Sequence, residues 1–434
     1  MKEKFVILFF ALFFVYFTNN TMSRCIDTTE IIETTFIDID SEQEIETGNI
    51  SNALGGYKMG LTKMTIPQII MVLIALTLAY LSIAKKYEPL LLLPLAFGMV
   101  LGNIPIAGLS AYDQGGLLHF LYQGVWYVIY PPLIFLCIGA MTDFGPLIAN
   151  PKTALIGLGG QLGIFVALGS AIYLGNFLAP FIPGFDGFTL NEAASIAIIG
   201  SSDGPTSIFT ASRLAPDLLP TIAIAAFSYM ALVPFIQPPI MRLLTTPEER
   251  VVVMPKPKNV RRVHKIIFPF AITIITLMLV PAAGALVGML MLGNLIRESG
   301  VTERYVRTLQ DHFLNILTLL VAVSIGASAT AERFLTPTTL FIVFLGLIAF
   351  SFGTIGGILI AKILYRTSGG KINPLIGNSG VSAMPMAARI SQRMGQKYNS
   401  QNHLLMHAMG PIVSSTIGSA IIAGLFIAFF GGGG

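Results

Sequence analysis

Charge is what this sequence has least of. Only 11% of its 434 residues are Asp, Glu, Lys or Arg, less than half of the roughly 25% usual in a soluble domain. With 54% of residues hydrophobic, that shortage excludes an ordinary soluble enzyme, and no nucleic-acid partner is expected. Cysteine is nearly absent too: Cys25 and Cys137 stand alone, without metal-ligand spacing around either, and need no role beyond packing. The net charge of +4 carries little information in bulk, because in such a chain it is the placement of Lys and Arg that speaks.

What is present is a succession of apolar runs that approach or exceed the roughly 18–20 residues needed to cross a bilayer. The chain reads as an all-α polytopic membrane protein. Residues 1–22 combine a basic start with a short apolar run, the pattern of a signal peptide or a short anchor. Residues 23–64 form an acidic polar extension. The first membrane half covers 65–241, a basic loop 242–265, and the second half 266–434. The loop carries Arg242, Arg250, Lys256, Lys258, Arg261, Arg262 and Lys265, which assigns it to the cytoplasm, as Lys85-Lys86 and Lys362, Arg366 and Lys371 assign theirs.

Two apolar stretches are interrupted by polar and helix-breaking residues: Ile199-Gly200-Ser201-Ser202-Asp203-Gly204-Pro205-Thr206-Ser207, and the run from Asn373 through Gly377-Asn378-Ser379-Gly380-Val381-Ser382 to Pro385. Glycine and proline break the helix and release backbone groups, and inside hydrocarbon such groups are tolerated only where buried or lining a cavity. Counting spans between the basic loops makes each interrupted stretch a hairpin that enters and returns on one side. Each half becomes four spans, a hairpin and one span, in opposite orientations. The expected architecture is therefore about ten spans plus two re-entrant hairpins in an inverted repeat, the layout of secondary transporters.

The chemistry follows. A charged Asp near the bilayer centre costs roughly 2.5–3.5 kcal/mol, so Asp203 calls for a function. With the hairpin tips together, Asp203 would stand beside Asn373, Asn378, Ser379 and Ser382, one carboxylate among neutral oxygens, which suits Na⁺ better than a divalent ion. Small residues that merely let helices pack closely are the competing reading for the serines and glycines. Arg389 has the fork for a carboxylate or a ureido oxygen, or is a cytoplasmic positive charge. Tyr229, inside an apolar span, is a proton carrier or a hydrogen-bonded core tyrosine. His403 and His407 lack a third ligand and read as structural.

At these residues the sequence resembles the beta subunits of biotin-dependent, sodium-translocating decarboxylases, which act on oxaloacetate, methylmalonyl-CoA or glutaconyl-CoA. The resemblance runs from about residue 65 to 430 and is carried by Ala84-Lys85-Lys86-Tyr87-Glu88-Pro89-Leu90-Leu91, Asp203-Gly204-Pro205-Thr206-Ser207-Ile208, Gly377 to Pro385, and His407-Ala408-Met409-Gly410-Pro411. It implies decarboxylation of carboxybiotin, supplied by a partner carrier domain, as Na⁺ moves outward through a multi-pass protein of the bacterial inner membrane. It implies metal ligands at Asp203, Asn373 and Ser382, substrate contacts at Arg389, Asn373 and Gly377, and catalytic roles for Arg389, Ser382 and Tyr229. The implied partners are a carboxyltransferase alpha subunit, a biotin carrier domain, a small membrane subunit of gamma or delta type, and further copies of the chain. Two departures from the family pattern stand out: Ser201-Ser202 replaces Gly-Ala, and Ile412 stands where Asn is common, removing a polar ion ligand.

The competing function is a secondary Na⁺- or H⁺-coupled carboxylate transporter, with Arg389 gripping a substrate that crosses the membrane. A structural scaffold would not account for two interrupted polar segments. The topology predicts that single cysteines at Lys258 and Asp186, in a background lacking Cys25 and Cys137, label from inside and outside respectively. Labelling of both from one side would rule out the inverted repeat.

Overall fold

The computed structural model describes residues 63–105, 108–183, 185–255 and 259–431, the side chains of residues 230 and 231 excepted. The amino-terminal signal or anchor, nearly all of the acidic extension, Cys25, Lys256 and Lys258 lie outside them. Residues 63–180 and 185–431 fall in one unit, described here. No strand occurs among the described residues.

The chain is all-helical, and six helices are long and apolar enough to cross a membrane, or up to eight if two bent pairs each count as one span. α1 (Ile66–Lys85) and α2 (Pro89–Asn103) are followed by α3 (Leu117–Trp126) and α4 (Tyr130–Met141). α3 and α4 meet at 69°, because Val128 takes φ 62° just before Pro131-Pro132. The span expected over 153–181 is found as one long apolar stretch, Pro151–Phe181, with a single turn residue, Gln161, between α5 (Ala154–Gly160) and α6 (Leu162–Leu178). α7 (Leu190–Ala197), α8 (Gly204–Leu214) and α9 (Leu219–Leu244) complete the first half. α9 is bent by 58° around residues 230–231.

The second half holds α10 (Arg262–Leu279), α11 (Gly284–Ser299), α12 (Leu314–Ser328), α13 (Pro337–Thr367), α14 (Met386–Tyr398) and α15 (Leu405–Phe430). At 15 and 16 residues, α2 and α11 fall short of the usual span length.

Packing is organised by close backbone approach. α2 lies on α12 and α4 on α11, each pair meeting at glycine. A Cβ on Gly326 would stand 2.1 Å from Leu95 O, and one on Gly293 would stand 2.0 Å from Leu136 O. Such pairs let van der Waals contact hold helices together where lipid supplies no hydrophobic drive. At the centre, α5 and α6 cross α13 through Gly159 and Gly163 against Gly356 and Gly353. Short 3-10 segments then lie on the crossing, Ile198–Ser201 against α6 and α13, and Pro374–Gly380 against α5 and α13. A Cβ on Gly160 would come within 1.7 Å of Gly380 O, so the second segment can seat only over glycine.

Away from the centre, one end of α10 is tied to the α4 turn by Lys265, whose Nζ lies 2.8 Å from Asp143 Oδ1 and 3.5 Å from Glu298 Oε2. Burial pushes the Asp143 carboxyl up, but the Lys265 hydrogen bond, the Gly145 amide and the Lys265 and Arg297 charges outweigh it and hold the group below the ordinary carboxylate value.

Candidate functional site

The first interrupted segment is shaped by local capping. Thr189 N donates to Glu192 Oε2 at 2.8 Å and Glu192 N to Thr189 Oγ1 at 3.3 Å, a capping box that starts α7. The helix tightens to 3-10 geometry over Ile198–Ser201 and stops where Ser202 enters the left-handed region at φ 57°. Asp203 then restarts it as the N-cap of α8, accepting Thr206 N at 3.3 Å. The positive end of α8 thus faces a carboxylate. Asp203 is 5% exposed. Its other oxygen accepts Ser419 Oγ of α15 at 3.0 Å, and the Thr206 hydroxyl sits beside it without a hydrogen bond of ordinary geometry.

The second segment is held in several places. Asn373 is fully buried; its Oδ1 accepts Leu375 N at 2.9 Å, and its Nδ2 donates to Val252 O at 2.8 Å and Arg250 O at 3.2 Å. The same stretch of backbone receives Asn402 Nδ2 at Arg250 O, 3.1 Å, and Asn399 Nδ2 at Val251 O, 3.2 Å. Arg250 is itself buried, donating to Thr245 Oγ1 at 2.9 Å and to Tyr398 OH at 2.9 Å. The 245–252 loop therefore grips both ends of the second hairpin. Gly377 packs on α13, where a Cβ would meet Ile358 Cα at 2.5 Å. Asn378 exchanges bonds with Gln237 of α9: Asn378 Nδ2 to Gln237 Oε1 and Gln237 Nε2 to Asn378 O, both 3.0 Å. Ser379 bonds Ser391 at 3.1 Å.

The two tips touch. Ser382 N donates to Ser201 O at 2.8 Å, and Ser382 Oγ donates to Ser415 Oγ of α15 at 3.1 Å. Ser415 also accepts Gln161 Nε2 at 3.0 Å. Asp203 with Ser419 and Ser382 with Ser415 thus lie one helical turn apart along α15, bordered by buried oxygens without partners at Ser202 Oγ and Gln161 Oε1. Of the expected ligands, the structure brings Asp203 and Ser382 to this seam. No described hydrogen bond joins Asn373 or Asn378 to Asp203.

Gln161, Ser415, Ser419 and Gln237 are not among the residues singled out from sequence. Their signal is a lone amide or hydroxyl in an apolar span, next to Gly159-Gly160, after Pro411 or beside Pro238. Ile412 is fully buried in the apolar cluster around Ile156 and Val381, so after Pro411 the polar groups that α15 offers begin at Ser414 and Ser415.

Arg389 is exposed on α14. Its charge reaches Glu88, where burial raises the carboxyl and Arg389 pulls it partly back. Tyr229 is 3% exposed, donates its hydroxyl to Val343 O, and packs its ring against Gly346. Among the described residues no three His, Cys, Asp or Glu side chains gather as a metal cluster; the seam offers one carboxylate and neutral oxygens.

Comparison with known proteins bears on this arrangement. The family described as Na⁺-transporting oxaloacetate decarboxylase beta subunit matches residues 67–430. The chain belongs to this family. Its beta-subunit relatives include the methylmalonyl-CoA decarboxylase subunit beta of Propionigenium modestum, 49% identical over 86% of this chain and 98% of the relative. The glutaconyl-CoA decarboxylase subunit beta of Acidaminococcus fermentans is 48% identical over 86% and 96%. The oxaloacetate decarboxylase beta chain of Klebsiella pneumoniae is 44% identical over 86% and 97%. The beta-subunit family thus includes relatives named for three different acids, and the match takes in both interrupted segments.

The bonds of Asn373 carry a prediction. Asn373→Leu leaves the buried Leu375 amide and the half-buried Val252 carbonyl without partners, at roughly 1–3 kcal/mol. It should lower the melting temperature of the solubilised protein by several degrees and open the 245–252 loop to protease. A wild-type melting curve and digestion pattern would remove the tether.

Proposed function

We propose that this chain is the membrane beta subunit of a Na⁺-pumping decarboxylase, in which carboxybiotin on a carrier domain is decarboxylated as Na⁺ moves outward across a bacterial inner membrane. The observation that carries the reading is the meeting of two interrupted segments at Ser201 and Ser382 beside the buried Asp203 carboxylate, in a family of Na⁺-transporting decarboxylase subunits. In this reading Na⁺ is cargo. Asp203 supplies its counter-charge, and hydroxyl and amide oxygens complete a shell that a monovalent ion accepts.

Ten spans and two re-entrant hairpins in an inverted repeat form part of the proposal. Paired packing supports it: α2 lies on α12 as α11 lies on α4, and α9 lies on α13 as α15 lies on α5. So does an echo in sequence, Leu101-Gly102-Asn103 with Leu292-Gly293-Asn294, and Ile138-Gly139-Ala140 with Ile325-Gly326-Ala327. The two asparagines do the same work, Asn103 Nδ2 bonding Ala329 O at 2.8 Å and Asn294 Nδ2 bonding Thr142 O at 2.9 Å.

Decarboxylation breaks the bond between the ureido nitrogen and the carboxylate carbon, releases CO₂ and leaves an electron pair on nitrogen that takes a proton. Arg389, exposed on α14, orients the carboxylate through paired, charge-assisted hydrogen bonds as the carrier domain delivers it. Asn373 and Gly377 shape the hairpin that frames this site. Ser382, at the tip, and Tyr229 are the hydroxyls through which the proton is handed over as Na⁺ leaves. A carboxyltransferase alpha subunit, a biotin carrier domain, a small membrane subunit of gamma or delta type and further copies of this chain complete the assembly.

Asp203→Asn removes the charge with almost no change of shape. It should abolish Na⁺-dependent CO₂ release and ²²Na⁺ uptake by proteoliposomes holding the complex, whereas Asp203→Glu keeps weakened activity. Normal Na⁺ dependence in the Asn variant excludes the carboxylate. Arg389→Lys cannot reproduce the paired geometry and should lose carboxybiotin decarboxylation while Na⁺ still protects the protein from protease. A carboxylate transporter instead gives substrate flux through this subunit alone, with a raised KM in the same variant; that outcome, without Na⁺-dependent CO₂ release from the complex, would overturn the pump.

A further inference from the structure

The turn Lys86-Tyr87-Glu88 joins α1 to α2. Lys86 and Glu88 both lie in the left-handed region, at φ 57° and 35°, where residues other than glycine are uncommon and persist only if their surroundings hold them. That hold is visible. The amides of Lys86 and Tyr87 both donate to Leu81 O, and the Tyr87 ring stands edge-on to Phe235 of α9, with centroids 5.1 Å apart. α9 in turn lies on α14. The turn is thereby brought toward the helix that carries Arg389, and the Arg389 charge reaches Glu88. In the proposed topology, Lys85-Lys86 beside one and Arg393 and Lys397 beyond the other mark both as cytoplasmic.

Neither charged side chain is engaged. Glu88 is half-buried and caps no amide of α2. Among the described residues its carboxyl has no hydrogen bond and no ion pair, and the Arg389 guanidinium has neither. The two act on one another without closing an ion pair. A carboxylate taken partly out of water calls for a donor.

Their bonding capacities match one small group. A guanidinium only donates, and an ionised carboxylate only accepts. Carboxybiotin carries the reverse pair on its ureido group. One nitrogen bears a carboxylate, which accepts, and the other keeps an N–H, which donates, with a single carbonyl carbon between the nitrogens. We infer that Glu88 is a substrate-binding residue, accepting the N–H of the uncarboxylated ureido nitrogen while Arg389 holds the carboxylate on the other. The inference rests on the reading of Arg389 as the carboxylate contact. It makes the site recognise both nitrogens of the ureido group, where a plain carboxylate would satisfy Arg389 alone.

The test is CO₂ release by the complete decarboxylase complex at saturating NaCl, with no substrate acid present. The probes are chemically prepared carboxybiotin and the same compound methylated on its second ureido nitrogen. Methylation deletes the N–H and changes no charge. In the wild type it should raise KM about tenfold, roughly 1.4 kcal/mol. Glu88→Gln keeps the shape but leaves only a neutral acceptor, so the methyl penalty should fall to about threefold. Glu88→Ala has no acceptor, and its penalty should lie below about twofold. A steric clash with the methyl group would instead persist unchanged in the Gln variant, which decides the matter alone if the Ala variant folds poorly. A penalty in Glu88→Gln equal to that of the wild type, or none in the wild type, would overturn the role of Glu88. Arg389→Lys separates the two levels. Carboxybiotin decarboxylation retained there removes the reading of Arg389 and this inference with it. Its loss there, beside an undiminished methyl penalty in Glu88→Gln, removes the inference alone.

Discussion

The centre of this protein depends on helices touching backbone to backbone. α5 and α6 cross α13 through Gly159, Gly163, Gly353 and Gly356, and the interrupted segments lie in the space that the missing side chains leave. Dispersion forces reward such contact only at close range, and in lipid they are the main attraction available. One β-carbon at Gly160 would collide with Gly380 O and push the second segment off its seat. The meeting of Ser201 with Ser382 is thus a result of packing before it is one of chemistry.

Burying so much unwound backbone requires that its polar groups find partners, since each one left alone in a dry interior costs free energy. Most of these groups are partnered, although Asn402 Oδ1 is not. Around Asn373, Asn399 and Asn402 the amide nitrogens are bonded to carbonyls of the 250–252 backbone, and Asn378 is held by Gln237. Around Asp203 the accounting is incomplete, with Ser202 Oγ and Gln161 Oε1 unpartnered.

The 245–252 loop ties α9 to the second interrupted segment. Arg250 bonds Thr245 just after the end of α9 and Tyr398 at the end of α14, while its carbonyl receives both Asn373 and Asn402. Glu249 and Lys362 add an ion pair at 3.4 Å, with Lys362 also donating to Leu244 O. Any displacement of the second hairpin relative to α9 must pass through these bonds. Arg389, on the same hairpin, is exposed.

The sequence by itself determined the class, the two interruptions and the residue at their heart. Scarce charge, long apolar runs and clustered Gly, Pro and Ser are local properties that the chain declares without folding, and Asp203 is conspicuous because a lone carboxylate in hydrocarbon is expensive. Several family motifs in order also carried the functional class. What only the tertiary structure decided is which neutral oxygens stand beside that carboxylate. Asn373 and Asn378 have the right chemistry for ligands, yet folding commits their amides to nearby backbone and to Gln237. Gln161, Ser415 and Ser419 look like ordinary interruptions of apolar helices, yet α5, α6 and α15 bring them to the seam. The physical reason is that a side chain's bonding capacity is local, whereas its partner is chosen by helix crossings between residues more than 200 positions apart.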